Sequence, residues 1–326
     1  MRKIFIFLCL LTLPILFSIS LATGESDVGF ASLWNYLFTG SFSPLEQLII
    51  SDIRLPRSLA ALLTGAALGV SGAMLQGMLR NPLASPFLLG ISSGAGVCVV
   101  ILISINVMAF WIPIGAWLGS VVAALLVFLI AYDRRSLTIE RLILAGVAIS
   151  SVLGSIQAVF LLRADDTRIQ NALTWLSGTL AGRDWRDLQF TWLPIVLGIV
   201  VSMIFAKKLN LAFLDDDTSQ SLGLSITQLR LFVGTLATIL TACAVCIAGL
   251  VGFVGLVIPH IVRLICGSNF IYILPVSALF GSIVVLGADI VARTYLGELP
   301  VGLVTSLIGS PFFVYLLQRS RAQRFS

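Results

Sequence analysis

Long apolar segments separated by short polar ones constrain this chain more than any other feature of its sequence. A helix needs about 20 apolar residues to cross a bilayer. Such segments lie at about 4–22, 58–79, 87–105, 107–131, 141–162, 189–206, 229–251, 253–266, 270–292 and 300–318. Hydrophobic residues make up 58% and charged residues 11% of the 326 positions, which excludes an ordinary soluble domain. We therefore predict an all-α polytopic membrane protein with about ten transmembrane helices, forming one transmembrane domain over residues 1–326.

The distribution of basic residues predicts the orientation of these helices. With an even number of spans, both termini lie on one side of the membrane, together with most of the 20 basic residues. Because basic residues are enriched in cytoplasmic loops, we predict a multi-pass protein of the bacterial inner membrane with both termini in the cytoplasm. Residues 24–53 then form an external loop with some helical character, and residues 207–230 form a cytoplasmic loop. The first segment, which follows Arg2 and Lys3, also resembles a signal peptide, but the many later helices favour an uncleaved span.

Small residues follow one face of the second predicted helix. They are Ala61, Gly65, Gly69, Ala73 and Gly77, at every fourth position. In lipid such a stripe lets a second backbone approach closely, and the amide of the neighbouring Gln76 needs a partner or water. We therefore predict that this helix lies in the middle of the bundle and ends at Arg80, Asn81 and Pro82. An ordinary glycine-rich membrane helix is the alternative, because Gly is common in such helices.

Two interrupted segments occupy corresponding places in the two halves of the chain. The first begins at residue 81 and reads Asn-Pro-Leu-Ala-Ser-Pro. The second contains, in order, Gly252, Gly255, Pro259 and His260. With ten spans the two places have opposite orientations, so we predict an inverted internal repeat of the kind common in transporters. Chance similarity between two glycine-rich stretches is the alternative.

Motifs that would supply chemistry are missing from the sequence. There is no GxxxxGK[ST] phosphate loop, no HExxH and no Ser/His/Asp set, so we predict no catalytic residue and no cofactor. The five cysteines all lie in apolar runs, and the chain contains only one histidine, so we predict no metal site. The net charge of +5 comes without a basic run interleaved with aromatics, so we expect a lipid bilayer and no nucleic acid as partner.

The predicted spans also carry few ionisable residues, whereas ion-coupled carriers usually place such residues at the membrane midplane. Asp289 is the main exception, and Arg293 at i+4 is in a position to pair with it. A transporter-like chain without an energy source of its own is expected to obtain energy from outside the chain.

The cytoplasmic loop contains the signal for a short helix. Its residues are Asp215, Asp216, Asp217, Thr218, Ser219, Gln220, Ser221, Leu222 and Gly223. Acidic residues and Thr favour a helix start, and the glycine favours its end. Such a helix suits docking into a groove of a soluble ATP-hydrolysing partner, and a solvated loop is the alternative.

Three arginines lie on the predicted external side. Arg54 and Arg57 are three residues apart, and Arg293 ends a later span on the same side. They are placed to meet carboxylates of a soluble partner or to extend towards lipid headgroups.

Several sequence blocks resemble those of a known family. They are Arg54-Leu55-Pro56-Arg57, Gly65 with Gly72 and Gln76, Asn81-Pro82-Leu83-Ala84-Ser85-Pro86, Leu144-Ala145-Gly146, Trp175-Leu176-Ser177-Gly178, Leu222-Gly223, Gly252-Phe253-Val254-Gly255 through Pro259-His260, Leu299-Pro300-Val301-Gly302 and Gly309-Ser310-Pro311-Phe312-Phe313. In this order they resemble the FecCD-like permease subunits of type II ABC importers for iron–siderophores, haem and cobalamin.

This resemblance implies a type II ABC importer permease fold that works as a dimer with an identical or closely related second permease subunit. It implies two cytoplasmic ATP-binding subunits on residues 215–225 and a periplasmic or lipid-anchored substrate-binding protein docked through Arg54, Arg57 and Arg293. It also implies a pathway along the dimer axis, lined by the span after residue 141. A loop at 136–140 would lie near the cytoplasmic constriction, with Thr138, Ile139 and Glu140 in the gate region.

The sequence is therefore interpreted as an import permease without an ATPase site of its own. Iron–siderophore is the preferred substrate class, and haem and cobalamin are alternatives within the same machinery. An ion-coupled secondary transporter and a non-transporting scaffold or sensor are the alternatives from other classes.

Overall fold

A computed structural model of the chain describes residues 2–24, 29, 43–133, 136–212, 216–221, 223 and 225–322. Side chains are not described at 212, 216, 217, 220 and 315–322. The described part is almost entirely helical, and a two-stranded antiparallel hairpin pairs Tyr132 with Leu137 and Asp133 with Ser136.

The helices are numbered here in chain order. They are α1 Arg2–Ala22, α2 Leu55–Met78, α3 Ile91–Ser104, α4 Trp111–Ala131, α5 Ile139–Arg163, α6 Asp166–Leu176, α7 Trp185–Gln189, α8 Trp192–Ile204, α9 Ala206–Ala212, α10 Asp216–Ser221, α11 Ile226–Ala248, α12 Val254–Cys266, α13 Phe270–Tyr295 and α14 Val301–Ala322. Strands β1 Tyr132–Asp133 and β2 Ser136–Leu137 separate α4 from α5.

The described residues contain seven helices long and apolar enough to cross a membrane. These are Arg2–Ala22, Pro44–Met78, Trp111–Ala131, Ile139–Arg163, Trp185–Ile204, Ile226–Ala248 and Phe270–Tyr295. Three shorter apolar helices are Ile91–Ser104, Val254–Cys266 and Val301–Val314. Each predicted segment overlaps one of these helices. A backbone in lipid must satisfy its hydrogen bonds locally, and an apolar helix does so.

Helix α2 lies in the middle of the bundle, as its small-residue stripe predicts. It packs against α11, α12 and α13, and nearly all of its second half is buried. A Cβ at Gly65 would collide with the backbone carbonyl of Gly281 in α13, and a Cβ at Gly72 would collide with that of Gly255 in α12. Only glycine permits these two close approaches.

The start of α2 shows which part of the predicted external loop is helical. Ser43 and Glu46 form a capping box in which the Ser43 side chain accepts from the Glu46 N–H and the Glu46 carboxylate accepts from the Ser43 N–H. The helical path then runs through Pro44–Gln47 and a π-helical segment, Leu48–Arg54, directly into α2. Residues 44–53 are therefore helical. This confirms the helical character predicted for the external loop, and the cap at Ser43 shows where its helical part begins.

The predicted loop at 136–140 is also structured. Residues 136 and 137 belong to β2, and the Thr138 hydroxyl caps α5 by accepting from the Arg141 N–H at 3.4 Å. Ile139 and Glu140 form the first turn of α5. A Thr followed by an acidic residue in the first turn is a local helix-start signal, which explains the difference.

Candidate functional site

The charged residues at one end of α2 and α13 form a compact cluster. Arg57 directs two nitrogens at one carboxylate, with Nε 3.1 Å and Nη2 3.0 Å from Oδ1 of Asp289. Its remaining Nη1 lies 2.8 Å from Oε1 of Glu298. The Asp289 side chain is 1% exposed, the Arg57 side chain 11% and the Glu298 side chain 47%. Arg57 therefore joins a buried acid to an exposed one.

Arg54 and Arg293 bind the last turn of α1. Arg54 donates to the Leu21 carbonyl at 2.8 Å, and Arg293 donates to the Ser20 carbonyl at 2.6 Å and to the Ser20 hydroxyl at 2.7 Å. Carbonyls in a last helical turn lack intrahelical partners and carry partial negative charge, so cations stabilise them. The Ser20 hydroxyl also lies 2.6 Å from that of Ser58 in α2. These contacts fix α1 to α2 and α13.

The cluster brings the three predicted docking arginines together but does not expose all of them. Arg54 is 4% exposed and Arg293 is 7% exposed in this chain, so neither presents its guanidinium at the surface. The predicted pair between Asp289 and Arg293 is present at 3.7 Å, but Arg57 is the closer partner of Asp289. Docking by all three arginines stays a prediction, and only the outer edge of Arg57 meets an exposed group.

The opposite end of α13 contacts the segment that contains the predicted docking helix. Helix α10 covers residues 216–221 and is followed by Gly223 with φ +83°, which confirms the predicted helix and its glycine end. Ser219 is buried, and its hydroxyl donates to the Leu211 carbonyl of α9 at 2.8 Å. Thr218 and Ser221 are exposed. Asp215 and Leu222 lie outside the described residues, as do the side chains of Asp217 and Gln220.

Asn210 connects α9 to the first turn of α13. Its Oδ1 accepts from the Phe270 N–H at 2.8 Å, and its Nδ2 donates to Oδ1 of Asn269 at 2.9 Å. Asn269 in turn caps α13 by accepting from the Ile271 N–H at 3.0 Å. Sequence reasoning missed Asn210 and Asn269, although an Asn directly before an apolar run is a recognisable helix-cap signal.

Gln76 connects the two predicted breaks. Its Nε2 donates to the Leu256 carbonyl at 3.0 Å and to the Ala84 carbonyl at 3.4 Å. A Cβ at Gly255 would lie 2.8 Å from Cδ of Pro86, so the two breaks pack directly against each other. This contact was not foreseen, and the inverted relation between the halves stays a prediction.

The other residues assigned to packing and pathway lie around these breaks. The Asn81 carboxamide oxygen accepts from the Leu83 N–H at 2.9 Å across Pro82, which forms the turn after α2. The Gly252 carbonyl accepts from the Thr305 hydroxyl of α14 at 3.1 Å. Pro259 is buried inside α12, and His260 is partly buried with no partner for Nδ1 among the described residues.

Helix α5 leaves most of its surface uncovered. Leu142, Ala145 and Gly146 are its buried residues, whereas Leu144 is 69% and Leu162 86% exposed. At its start, the Leu137 carbonyl accepts from Arg230 Nη1 at 2.8 Å, while Glu140 is exposed. Such an apolar surface suits lipid or another subunit. Within the described residues, no group of three or more His, Cys, Asp or Glu side chains is placed to hold a metal ion.

The sequence is similar to those of import permeases along nearly its whole length. A model of the FecCD transport family matches residues 11–319. The Fe(3+)-citrate import system permease protein YfmD of Bacillus subtilis is 37% identical over 308 residues, covering 93% of this chain and 91% of that protein. The cobalamin import system permease protein BtuC of Halobacterium salinarum is 37% identical over 317 residues, covering 94% of this chain and 86% of that protein.

The backbone is similar to that of a solved transporter. An ABC transporter assigned to the metal-chelate type, in an inward-facing conformation, is 32% identical and superposes with a TM-score of 0.87. The match covers 98% of this chain and 100% of that chain. It confirms the predicted all-α permease fold of type II ABC importers.

Proposed function

Since this chain belongs to the FecCD transport family of ABC importer permeases, we propose that it carries an iron–siderophore complex across the bacterial inner membrane, using ATP hydrolysed by separate subunits. The single observation that carries this proposal is the backbone match to a metal-chelate-type ABC transporter over 98% of the chain. Relatives at 36–37% identity are named as permeases for Fe(3+)-citrate, cobalamin and hemin, so haem and cobalamin are the competing outcomes of a substrate test.

The uncovered helices support a second permease subunit. Both α5 and α14 expose large apolar residues, among them Leu162 at 86% and Leu307 at 74%. Association with an identical or closely related subunit along these helices would leave a passage between the two copies. A passage of this kind needs no charged midplane site, because a soluble binding protein on the external side supplies substrate affinity.

Uptake is expected to require ATP and to be independent of an ion gradient. The test uses proteoliposomes containing the permease, its two ATP-binding subunits and its binding protein, loaded with ATP, and measures accumulation of a ferric siderophore, haem or cobalamin. An ionophore should leave accumulation unchanged, and omission of ATP should abolish it. If the permease alone concentrates any of these solutes on a proton or sodium gradient, the assignment to ABC import is wrong and the secondary-carrier alternative holds.

The contacts between α10, α9 and α13 offer a path along which movement of the ATP-binding subunits would reach the helix bundle. A partner docked on α10 would move α9 through the contact between Ser219 and Leu211, and α9 would move α13 through Asn210. Movement of α13 would be passed to α2, because the two backbones touch at Gly65 and Gly281.

Substitution N210A tests this route. Loss of two hydrogen bonds at the start of α13 is expected to reduce the substrate transported per ATP about fivefold or more while the ATP hydrolysis rate stays near that of the unaltered complex. Substitution T174A, which removes an exposed hydroxyl bonded to the Gln170 carbonyl within α6, is the control. Normal coupling in N210A would exclude Asn210 from the route.

A further inference from the structure

Glu298 has an unusual combination of backbone and side-chain contacts. Its φ of +61° lies in the left-handed region directly after Gly297, also at +61°. A non-glycine residue rarely adopts this conformation without a compensating contact. Here the Glu298 N–H donates to the Ala292 carbonyl at 3.1 Å, and the carboxylate reaches Arg57 Nη1 at 2.8 Å. The turn therefore places one exposed carboxylate on one arginine.

The two carboxylates that bind Arg57 differ in how easily another carboxylate would replace them. Asp289 is 1% exposed and receives two guanidinium nitrogens, so its removal would leave largely buried guanidinium groups without their buried carboxylate. Glu298 is 47% exposed and receives a single nitrogen. Ion pairs with a solvent-exposed partner contribute little to stability, because water solvates the separated groups well. The outer contact of Arg57 is thus the weak one.

We propose that Glu298 is an exchangeable internal counter-ion, which occupies the outer edge of Arg57 until a carboxylate of an acidic soluble partner replaces it. This inference rests on the proposed function, in which a binding protein docks on this face. The exchange requires only rotation of the Glu298 side chain, because the N–H contact to Ala292 holds the turn in place. Docking then proceeds with Arg54 and Arg293 still bound to α1.

The first experiment measures access to Arg57 without any partner. The purified full-length permease is treated with phenylglyoxal, which modifies arginine, and modification of Arg57 is quantified by peptide mass spectrometry. Substitution E298Q is expected to raise the modification rate about threefold to fivefold, the factor that corresponds to an exposed ion pair. Substitution D52N is the matched control, because Asp52 is an exposed acid near the same end of α2. Unchanged or slower modification in E298Q would overturn the proposal.

The second experiment measures docking with the binding protein isolated with the assembled importer. E298Q is expected to increase its affinity about threefold to fivefold at low salt, whereas D52N leaves it within twofold. A lower affinity in E298Q would show that Glu298 positions Arg57 for the partner, and would overturn the exchange. If R57K and R57Q both bind the partner like the unaltered protein, docking through Arg57 fails instead. If these two weaken binding but E298Q does not strengthen it, only the exchange fails.

Discussion

Substitution D289A is expected to lower the free energy of unfolding by about 3–5 kcal/mol, the range for breaking a buried ion pair from one side. Arg57 would lose the carboxylate that binds its Nε and Nη2, and Arg293 would lose its neighbouring acid at 3.7 Å. Both guanidinium groups are largely enclosed, so water would not replace the carboxylate fully. Equilibrium unfolding of the full chain in mixed micelles measures the loss.

Two further variants separate the ion pair from general effects of substitution. D52N removes an exposed acid near the same end of α2 and should change stability by about 0.5 kcal/mol or less. Replacing both partners in R57M/D289L should restore much of the stability lost in D289A, because well-packed apolar groups need no counter-ion. A D289A variant as stable as the unaltered protein would contradict a structural role for this pair.

Substitution G65A is expected to destabilise the bundle by about 1–3 kcal/mol, the usual cost of overpacking a close contact. Its new methyl group would collide with the carbonyl of Gly281, so α2 and α13 would have to move apart. G281A should cause a similar loss because its Cβ would meet the Gly65 carbonyl in return. Thermal inactivation of substrate uptake and equilibrium unfolding in micelles both report this change.

The matched control is G287A in the same α13 helix. A Cβ at Gly287 meets no atom within 4 Å in the described structure, so the substitution should be neutral or slightly stabilising through better helix propensity. The double variant G65A/G281A should lose less than twice the single loss, since one separation of the helices accommodates both methyl groups. Equal stability of G65A and G287A would contradict a backbone contact between α2 and α13.

The membrane helices and the central position of α2 were predictable because each depends on a property that a local stretch of sequence shows. Apolar length fixes where a helix crosses a bilayer, and a stripe of Gly and Ala marks where another backbone can approach. The stripe indicated one packed face but not its partner. The structure identifies Gly281 opposite Gly65 and places Gly72, outside the stripe, against Gly255.

The charged cluster was only half predictable. The spacing of Asp289 and Arg293 indicates a pair along one helix, and that pair exists at 3.7 Å. Arg57, 232 residues earlier in the chain, makes the closer contact, and no local pattern relates residues so far apart. The sequence pattern also does not indicate the partner of Arg54, because Arg54 binds a backbone carbonyl, which every residue has.

The ends of several helices follow local capping patterns that are present in the sequence. The capping box of Ser43 and Glu46 starts the helical part of the predicted external loop, and Thr138 caps α5 within residues predicted as a loop. The helix of residues 216–221 was recognised because its acidic start and Gly223 were both present. A cap is therefore stronger evidence than local polarity for where a membrane helix begins.

The arginines on the last turn of α1 also determine when the bundle is completed during synthesis. Arg54 follows Leu21 by 33 residues, but Arg293 follows Ser20 by 273. At about 5–20 residues per second, a ribosome needs roughly 14–55 s to make that stretch. Throughout this interval the nascent α1, in which only Cys9, Ser20 and Ala22 are buried even in the finished chain, relies on lipid and the insertion machinery to shield it.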